Sequence, residues 1–397
     1  MSTLRPIDAS ARVSHPDRLP VALLIAASLC MFTAAGSGTA RAPFLIDMAR
    51  DLSSSVPMVA NLVAFTSVAW GLSSMLAGAG SDRWGRRPFL IFGPLALAVA
   101  TAGVAGAGSF IAVAAWGTFG GACCGMFTGP VFTEVSRRVA PGQQGRALGW
   151  VMSGQSLTLL IGVPMAAWIG STIGWRGVNL CVSALGVASA VGLFITTTAP
   201  VGGGGRAGTK MPSMRSALSG PVLRLLSMGV AERICYGLVA VYFATFLQST
   251  YHLSVEAVAL PLAVFALGNI LGTVLGGQLA DKFGHRLRIF AVTMVLSGVA
   301  ALVLFGWHGD LFTAIGLGFL YVFFNAIARP SLMASLGDVP EHVRGTVMGL
   351  NVTCSSLGWL GAAGLGGSMI GLYGFDGFGP LTAGVAVIAA GLAVVRR

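Results

Sequence analysis

Residues Gly78–Arg87 read Gly-Ala-Gly-Ser-Asp-Arg-Trp-Gly-Arg-Arg, and this short charged stretch separates two long apolar runs. A related stretch, Gly-Gln-Leu-Ala-Asp-Lys-Phe-Gly-His-Arg at Gly277–Arg286, begins 199 positions later in a chain of 397 residues. A second pair of glycine-bearing stretches, Gly145–Gly149 and Gly345–Gly349, repeats with a separation of 200. Two matching loops in each half indicate that the chain contains two copies of one unit.

The composition places both copies in a lipid bilayer. Hydrophobic residues make up 55% of the chain and charged residues 9%, whereas a soluble domain carries about 25% charged residues. A membrane span needs about 20 mostly apolar residues, and the sequence predicts twelve such spans. They lie at 20–42, 57–78, 89–108, 110–133, 147–170, 177–198, 221–246, 257–278, 288–306, 311–334, 347–368 and 377–395.

The predicted fold class is an all-α membrane protein with twelve transmembrane helices in two pseudo-symmetric six-helix bundles. Residues 1–19 are predicted to form a cytoplasmic tail, 20–198 the N-terminal bundle, 199–220 a cytoplasmic linker and 221–395 the C-terminal bundle. The linker contains a glycine-rich stretch, which is typical of a flexible connection.

The basic residues predict the orientation in the membrane, because short loops rich in Lys and Arg stay in the cytoplasm. Of the 24 Lys and Arg residues, nineteen lie in the tail, the linker and the loops on the same side as the termini, and two lie in loops on the other side. Both termini are therefore predicted to be cytoplasmic. The net charge of +11 is spread over these segments without a nucleic-acid-binding motif, so anionic lipid headgroups, and not nucleic acid, are the expected partners.

The sequence shows no sign of an enzyme, a cofactor or a metal site. The glycine-rich stretch Gly202–Lys210 lacks the Gly-Lys-Ser/Thr ending that a phosphate loop needs. The six cysteines lie inside apolar runs without metal-ligand spacing, so neither a disulfide framework nor a zinc site is expected. Any transport against a gradient would have to draw on an ion gradient or on a partner protein.

The stretch Gly78–Arg87 resembles the loop signature of the major facilitator superfamily, which runs Gly, three residues, Asp, a basic residue, any residue, Gly, Arg and a basic residue. The first copy satisfies this signature completely, and the second departs from it at His285, where the family usually has Arg. The matching residues form the predicted gating motif, which consists of Gly78, Asp82, Arg83, Gly85, Arg86, Arg87, Gly277, Asp281, Lys282, Gly284 and Arg286.

The resemblance covers essentially the whole chain and implies a monomeric secondary transporter of the bacterial inner membrane. Such a protein alternates a central cavity between the two sides, and the resemblance is to drug/proton antiporters or small-solute efflux proteins. In this family the signature loop holds the outward-facing state, which would place Asp82 near Gly345 and Asp281 near Gly145. The other interpretation is that the positive charge of these loops only fixes their orientation.

The fifth predicted span partly matches a glycine-proline motif that is associated with exporters. Gly154, Gly162 and Pro164 are its candidate hinge residues, although Val163 separates a glycine and a proline that are adjacent in the usual motif. Small residues and proline let helices approach closely and bend, so tight packing alone is the other explanation. The fourth span departs further, because proton-coupled members usually carry an Arg near its start and Trp116–Gly121 contains none.

Ionisable residues within the spans are the most informative, because each costs several kcal/mol unless it faces a partner or a water-filled cavity. Glu232 and Arg233 lie in the seventh predicted span, eight and nine positions after Arg224. All five histidines fall in tails or loops, so Glu232 is the proton-coupling candidate. Adjacent residues point about 100° apart on a helix, so we expect Arg233 to pair with a group on another span.

Five residues are predicted to line the substrate cavity. Tyr321, Asn325 and Arg329 recur every four residues in the tenth predicted span and form one polar stripe, and Arg41 and Arg233 complete the set. Alternatively, Arg41 and Arg329 extend from their spans to the headgroups. Three arginines against one glutamate favour an anionic or neutral solute.

The sequence therefore predicts proton-coupled efflux of a small organic solute by alternating access. Two alternatives stay open. A facilitator or importer of a metabolite anion is consistent with the missing arginine of the fourth span. A transporter-like membrane protein that assembles a partner complex without moving a solute is the other.

Overall fold

The computed structural model describes residues 20–139, 143–197, 219–307, 309–339 and 341–395, and every regular element in these ranges is helical. The predicted tail and most of the predicted linker lie outside them. The α-helices of the first half are α1 Val21–Thr39, α2 Leu45–Asp51, α3 Val56–Ala60, α4 Leu62–Trp84, α5 Arg86–Gly106, α6 Phe110–Arg138, α7 Gln144–Leu157 and α8 Val163–Thr196. Those of the second half are α9 Gly220–Tyr251, α10 Ala259–Lys282, α11 Arg286–Gly306, α12 Leu311–Gly337, α13 Glu341–Tyr373 and α14 Phe378–Val394.

Ten helical stretches in the described ranges are apolar and long enough to cross a membrane. Two of them are too long for one crossing: Arg146–Thr196 has 51 residues and Leu350–Val394 has 45, against the roughly 20 residues that cross a hydrocarbon core about 30 Å thick. Each is interrupted by a glycine with positive φ, Gly174 at 69° and Gly374 at 65°. Each long stretch therefore supplies two crossings, which gives the predicted twelve spans.

Short polar side chains begin several of these helices. Ser55 and Ser109 accept hydrogen bonds from the backbone N–H groups of Met58 and Ala112, both at 3.3 Å. Such caps satisfy backbone donors that have no partner within the helix. The sequence therefore defines these helix starts locally.

The two halves repeat one packing pattern. In the first half, α1 packs against α7 and α8, α4 packs against α6, and α5 packs against α6 and α8. In the second half, α9 packs against α13 and α14, α10 packs against α12, and α11 packs against α12 and α14. The halves meet where α4 contacts α13 and where α8 contacts α10. These contacts are those of two pseudo-symmetric bundles, as the repeated loops predict.

The halves share one hydrophobic core at the end of the molecule opposite the loops of the gating motif, which we call the far end. A single cluster of buried side chains there joins Phe44 and Met48 of the first half to Tyr242 and Phe246 of the second. The amide of Gln248 also donates to the backbone oxygen of Pro43 at 2.7 Å. Towards the end that carries the motif loops, which we call the motif end, each half has its own cluster of buried residues.

Candidate transport site

Glu232 of α9 is a buried carboxylate that two arginines share. The residue is 1% exposed. It accepts a hydrogen bond from Nε of Arg233 at 2.7 Å and a second, shorter one from a terminal nitrogen of the same guanidinium. Nη1 of Arg329, on α12, lies 3.8 Å from Oε2 of Glu232, the oxygen that also accepts from Nε of Arg233. The cluster therefore holds one carboxylate and two guanidinium groups within the C-terminal half.

The expectation that Arg233 pairs with another span is wrong. Backbone vectors of adjacent helical residues diverge by about 100°, but the flexible arginine side chain turns back along α9 and brings its planar fork against the neighbouring carboxylate. Bidentate pairing of this kind is the strongest that a guanidinium makes with a carboxylate. The angle between the two residues therefore does not decide the partner of so long a side chain.

Tyr236 extends the cluster by one helical turn. The guanidinium of Arg233 lies 4.5 Å from the centre of its ring, within the range of a cation–π interaction. Its hydroxyl accepts a hydrogen bond from the amide of Asn269 on α10 at 3.2 Å. Trp359 of α13 packs edge-on against the ring, with centroids 5.7 Å apart. Three helices thus meet at this aromatic residue.

Sequence reasoning missed Tyr236, Asn269 and Trp359. One signal was available for Tyr236, because it follows Glu232 by four residues and such positions share a face of a helix. For Asn269 the signal was an amide in the middle of an apolar span. Nothing in the spacing of Trp359 indicates that it packs against the seventh span.

Gly358 lets α13 approach α9 beside the charged cluster. A Cβ atom at Gly358 would lie 2.3 Å from Cβ of Arg233 and 3.0 Å from the backbone oxygen of Val230. Distances below 3.0 Å do not occur without movement of the neighbouring atoms. A side chain at this position would therefore push α13 away from the buried ion pair.

The three residues of the polar stripe in the tenth predicted span, which is α12 in the structure, lie in different environments. Tyr321 and Asn325 are fully buried. The hydroxyl of Tyr321 donates to the backbone oxygen of Cys235 on α9, and the amide nitrogen of Asn325 lies 3.8 Å from the sulfur of Met294 on α11. Arg329, in contrast, reaches Glu232 and keeps 36% of its side chain exposed. In this conformation Tyr321 and Asn325 lie between helices, and their part in transport stays a prediction.

Arg41 lies in the N-terminal half, just after α1. It is 5% exposed, and its Nη1 atom lies 3.4 Å from the hydroxyl of Thr66 on α4. A Cβ atom at Gly117 of α6 would lie 3.4 Å from Nη1 and 3.5 Å from Nη2. The side chain therefore points between α4 and α6 and does not extend to the headgroups. It brings a guanidinium to Gly117, near the start of the fourth span, where Trp116–Gly121 contains no arginine.

The sequence model of the Major Facilitator Superfamily matches residues 27–242 and 225–397. The two matches together reach across both bundles, whose packing and motif loops are described above. The chain belongs to the major facilitator superfamily. It is therefore an integral membrane protein and a transporter, and not an enzyme.

Two relatives and one solved structure agree with this membership. The chain is 26% identical over 356 residues to the chloramphenicol resistance protein of Streptomyces lividans, which covers 86% of this chain and 89% of that protein. It is 24% identical over 358 residues to the purine ribonucleoside efflux pump NepI of Shigella sonnei, covering 84% of this chain and 82% of that protein. The crystal structure of the nucleoside transporter NupG matches 95% of this chain and 99% of its own with a TM-score of 0.78 at 14% identity, which is a likeness of fold.

The two signature loops of this superfamily member differ in backbone geometry. α4 ends at Trp84 and α5 begins at Arg86, so Gly85 alone joins them, with φ at 82°. The second loop is longer, from Phe283 to His285 between α10 and α11, and Gly284 does not have a positive φ. A glycine is therefore required by the backbone in the first copy and not in the second.

The second loop is tied to its own half. Nη1 of Arg286 forms an ion pair with Asp338 at 2.6 Å, and Nε of Arg286 donates to the backbone oxygen of Ala280 at 3.2 Å. The side chain of Asp82 and those of 144–145 and 341–346 lie outside the described residues. Docking of Asp82 near Gly345, and of Asp281 near Gly145, therefore stays a prediction.

The hinge candidates lie at an irregular point of the fifth span. Residues Thr158–Gly162 form a π-helical turn between α7 and α8. Pro164, the second residue of α8, has no backbone N–H to donate. A Cβ atom at Gly154 would lie 2.1 Å from the backbone oxygen of Ser28, and one at Gly162 would lie 2.9 Å from the ring of Phe32. Close packing against α1 is thus sufficient to explain both glycines, and bending at this turn stays a prediction.

Proposed function

We propose that this chain exports a small organic solute across the inner membrane of a bacterium in exchange for protons, as a monomer with both termini in the cytoplasm. The observation that carries the proposal is Glu232, the only buried carboxylate among the described side chains. A buried ionisable residue in a span is characteristic of proton and ion pathways. The outward direction is supported by the similarity to a chloramphenicol resistance protein and to a purine ribonucleoside efflux pump.

The shared core of the far end supports alternating access. If the motif loops are cytoplasmic, as their basic residues predict, then the far end is the outer side and is closed in this conformation. The solute would enter between the halves from the cytoplasm and leave after the far-end contacts, including that of Gln248 with Pro43, have separated. In that outward-facing state, we propose that the motif loops form the contacts between the halves. We also propose that the fifth span bends at Gly162 and Pro164 during the change.

Glu232 is the group to which we assign the change of protonation. When it is ionised, it holds Arg233 and Arg329 beside it and joins α9 to α12. A proton on the carboxylate removes the charge that attracts both guanidinium groups, so the two helices lose this link. Antiport follows if the ionised state accompanies the solute outward and the protonated state returns.

A second candidate rests on the same geometry. One carboxylate shared by two guanidinium groups leaves both of them without a counter-ion once it is protonated. An organic anion could then bind to Arg233 and Arg329, so that proton and anion would move in the same direction. This candidate is uptake of a metabolite anion, and the direction of proton movement distinguishes it from efflux.

Proteoliposomes that contain a pH-sensitive dye test both candidates. Chloramphenicol, inosine and benzoate serve as probes, and the measurement is the proton flux that each probe starts across the membrane. We expect solute and protons to move in opposite directions and Glu232→Gln to abolish the proton movement. Glu134→Gln is the matched control, because Glu134 is also a glutamate in a helix and pairs with Arg138 at 2.6 Å.

The outcomes separate the candidates. Proton and benzoate movement in the same direction, in excess of the passive entry of benzoic acid into protein-free liposomes, selects anion uptake. Solute flux that is independent of pH in both the unmodified protein and Glu232→Gln selects a facilitator. Proton-driven flux that Glu232→Gln leaves unchanged contradicts the role assigned to this carboxylate.

A further inference from the structure

Arg41 is a buried cation to which the described residues supply no counter-ion. It is 5% exposed. Among the described side chains, no carboxylate oxygen lies within 4.0 Å of its guanidinium nitrogens, whereas Arg233 has Glu232 as a direct partner. An unpaired charge out of water is strongly unfavourable. The position therefore calls for a ligand of opposite charge.

The donors of Arg41 are almost all unused. A guanidinium has five N–H donors, accepts no hydrogen bond and keeps its proton in proteins. The one contact to a described side chain is the long one of 3.4 Å to Thr66, and the buried Nε atom has no hydrogen-bond partner. A planar group with several free donors recognises an oxyanion in bidentate geometry.

The fourth span packs directly against the guanidinium. A Cβ atom at Gly117 would lie in ordinary van der Waals contact with its two terminal nitrogens, at 3.4 and 3.5 Å. Because glycine has no side chain, α6 supplies no side-chain partner to these nitrogens at this position. Two residues after Arg41, the backbone oxygen of Pro43 accepts the hydrogen bond from Gln248 of the other half. Arg41 is therefore close in sequence to a contact that closes the far end.

We propose that Arg41 binds an oxyanion, a carboxylate or a phosphate group, that the transported solute carries. This inference rests on the proposed function, since it assigns the substrate class of the same transporter. The site lies in the N-terminal half and the Glu232 cluster lies in the C-terminal half. An anion on Arg41 therefore does not compete with Glu232 for Arg233 and Arg329. Anion binding at Arg41 is then not linked to protonation of Glu232 by such competition.

The test measures binding to the full-length protein in nanodiscs of zwitterionic lipid. Benzoate, phenyl phosphate and the uncharged benzamide are the probes, and calorimetry and the melting temperature are the readouts. We expect benzoate or phenyl phosphate, but not benzamide, to bind and to raise the melting temperature. Arg41→Lys, which keeps the charge but loses the fork, should weaken binding about tenfold. Arg50→Gln is the control, because Arg50 is a surface arginine whose side chain is 77% exposed.

Gly117→Asp provides an independent variant that does not remove the arginine. A carboxylate on α6 beside the guanidinium is a built-in counter-ion, so we expect a higher melting temperature in the absence of probe and no further rise with benzoate. Unchanged anion binding in both Arg41→Lys and Gly117→Asp overturns the inference. No binding of either anion to the unmodified protein also overturns it.

These results are separable from the proposed function. Proton-linked flux that depends on Glu232, together with anion binding that is insensitive to Arg41, rejects the anion site and keeps the transporter. Anion binding that depends on Arg41 in a protein without proton-linked flux keeps the site and rejects proton-coupled export.

Discussion

Arg41, which is buried, and Arg233, whose side chain is 12% exposed, lie in opposite halves of a pseudo-symmetric molecule, and their charged surroundings differ. Arg233 is held by a bidentate carboxylate on one side and by the ring of Tyr236 on the other. Arg41 has one long contact to a hydroxyl and faces Gly117, which has no side chain to offer it a partner. The C-terminal half supplies a counter-ion to Arg233 and Arg329 from its own residues, whereas the described residues of the N-terminal half supply none to Arg41.

The comparison teaches that a duplicated backbone does not impose a duplicated charge pattern. The packing of helices repeats between the halves because it depends on small residues and apolar faces. The charged residues within the spans do not repeat, since each one is costly in the membrane and is retained only where a partner or a ligand offsets it. The charged residues that differ between the two halves therefore indicate function most directly.

The largest expected effect comes from removing the carboxylate that distinguishes the two sites. Glu232→Gln leaves Arg233 and Arg329 without their counter-ion, which makes the C-terminal site resemble that of Arg41. Loss of one partner from a buried ion pair costs about 3–5 kcal/mol. We expect a loss of this size in the free energy of unfolding, measured in detergent with increasing denaturant.

The matched variant is Arg41→Gln, which removes a cation that has no described counter-ion. Its free energy of unfolding should stay unchanged or rise in the absence of solute. A large loss of stability in Arg41→Gln, comparable to that of Glu232→Gln, would show that Arg41 is paired within the protein. It would contradict the difference between the two arginines.

An intermediate effect is expected from the two glycines that face these arginines. Gly358→Ala places a Cβ atom 2.3 Å from Cβ of Arg233, and forcing atoms into a packed interface costs about 1–3 kcal/mol. Gly117→Ala meets only the ends of the Arg41 side chain at 3.4 and 3.5 Å, so its melting temperature should be unchanged. Gly364→Ala is the control on α13, because nothing lies within 4 Å of its added atom. Equal melting temperatures for Gly358→Ala and Gly364→Ala would contradict the close approach of α9 and α13.

The smallest expected effect concerns the glycines of the two motif loops, whose backbone conformations differ. Gly85 has φ at 82° and ψ at 157°, a region that is essentially restricted to glycine and costs other residues about 1–3 kcal/mol, whereas Gly284 has no positive φ. Gly85→Ala should therefore lower the free energy of unfolding by this amount, and Gly284→Ala should have almost no effect. The same denaturant titration measures both, and equal losses would mean that the two copies share one backbone geometry.

Sequence reasoning reached different depths for the fold and for the site. It identified Glu232 and Arg233 as the ionisable residues of the seventh span, because charge inside an apolar run is visible without coordinates. It misplaced the partner of Arg233, because the reach of a long side chain exceeds the helical angle on which the expectation rested. It grouped Tyr321 with Arg329 by spacing, although one lies between helices and the other reaches the ion pair.

The sequence by itself determined that the chain lies in a membrane, that it has twelve spans and that it contains a duplication. Hydrophobicity and repeated loops are local properties of the chain. It also identified which charged residues lie along the spans, although it left open whether Arg41 and Arg329 are buried or extend to the headgroups. Only the tertiary structure decided which of them meet: Asn269 and Trp359 join Tyr236 from separate helices, and Arg41 turns towards Gly117 with no acid beside it among the described residues. The reason is physical, since side-chain partners depend on how the helices are rotated and spaced. Those rotations follow from packing across the whole bundle, which no single span encodes.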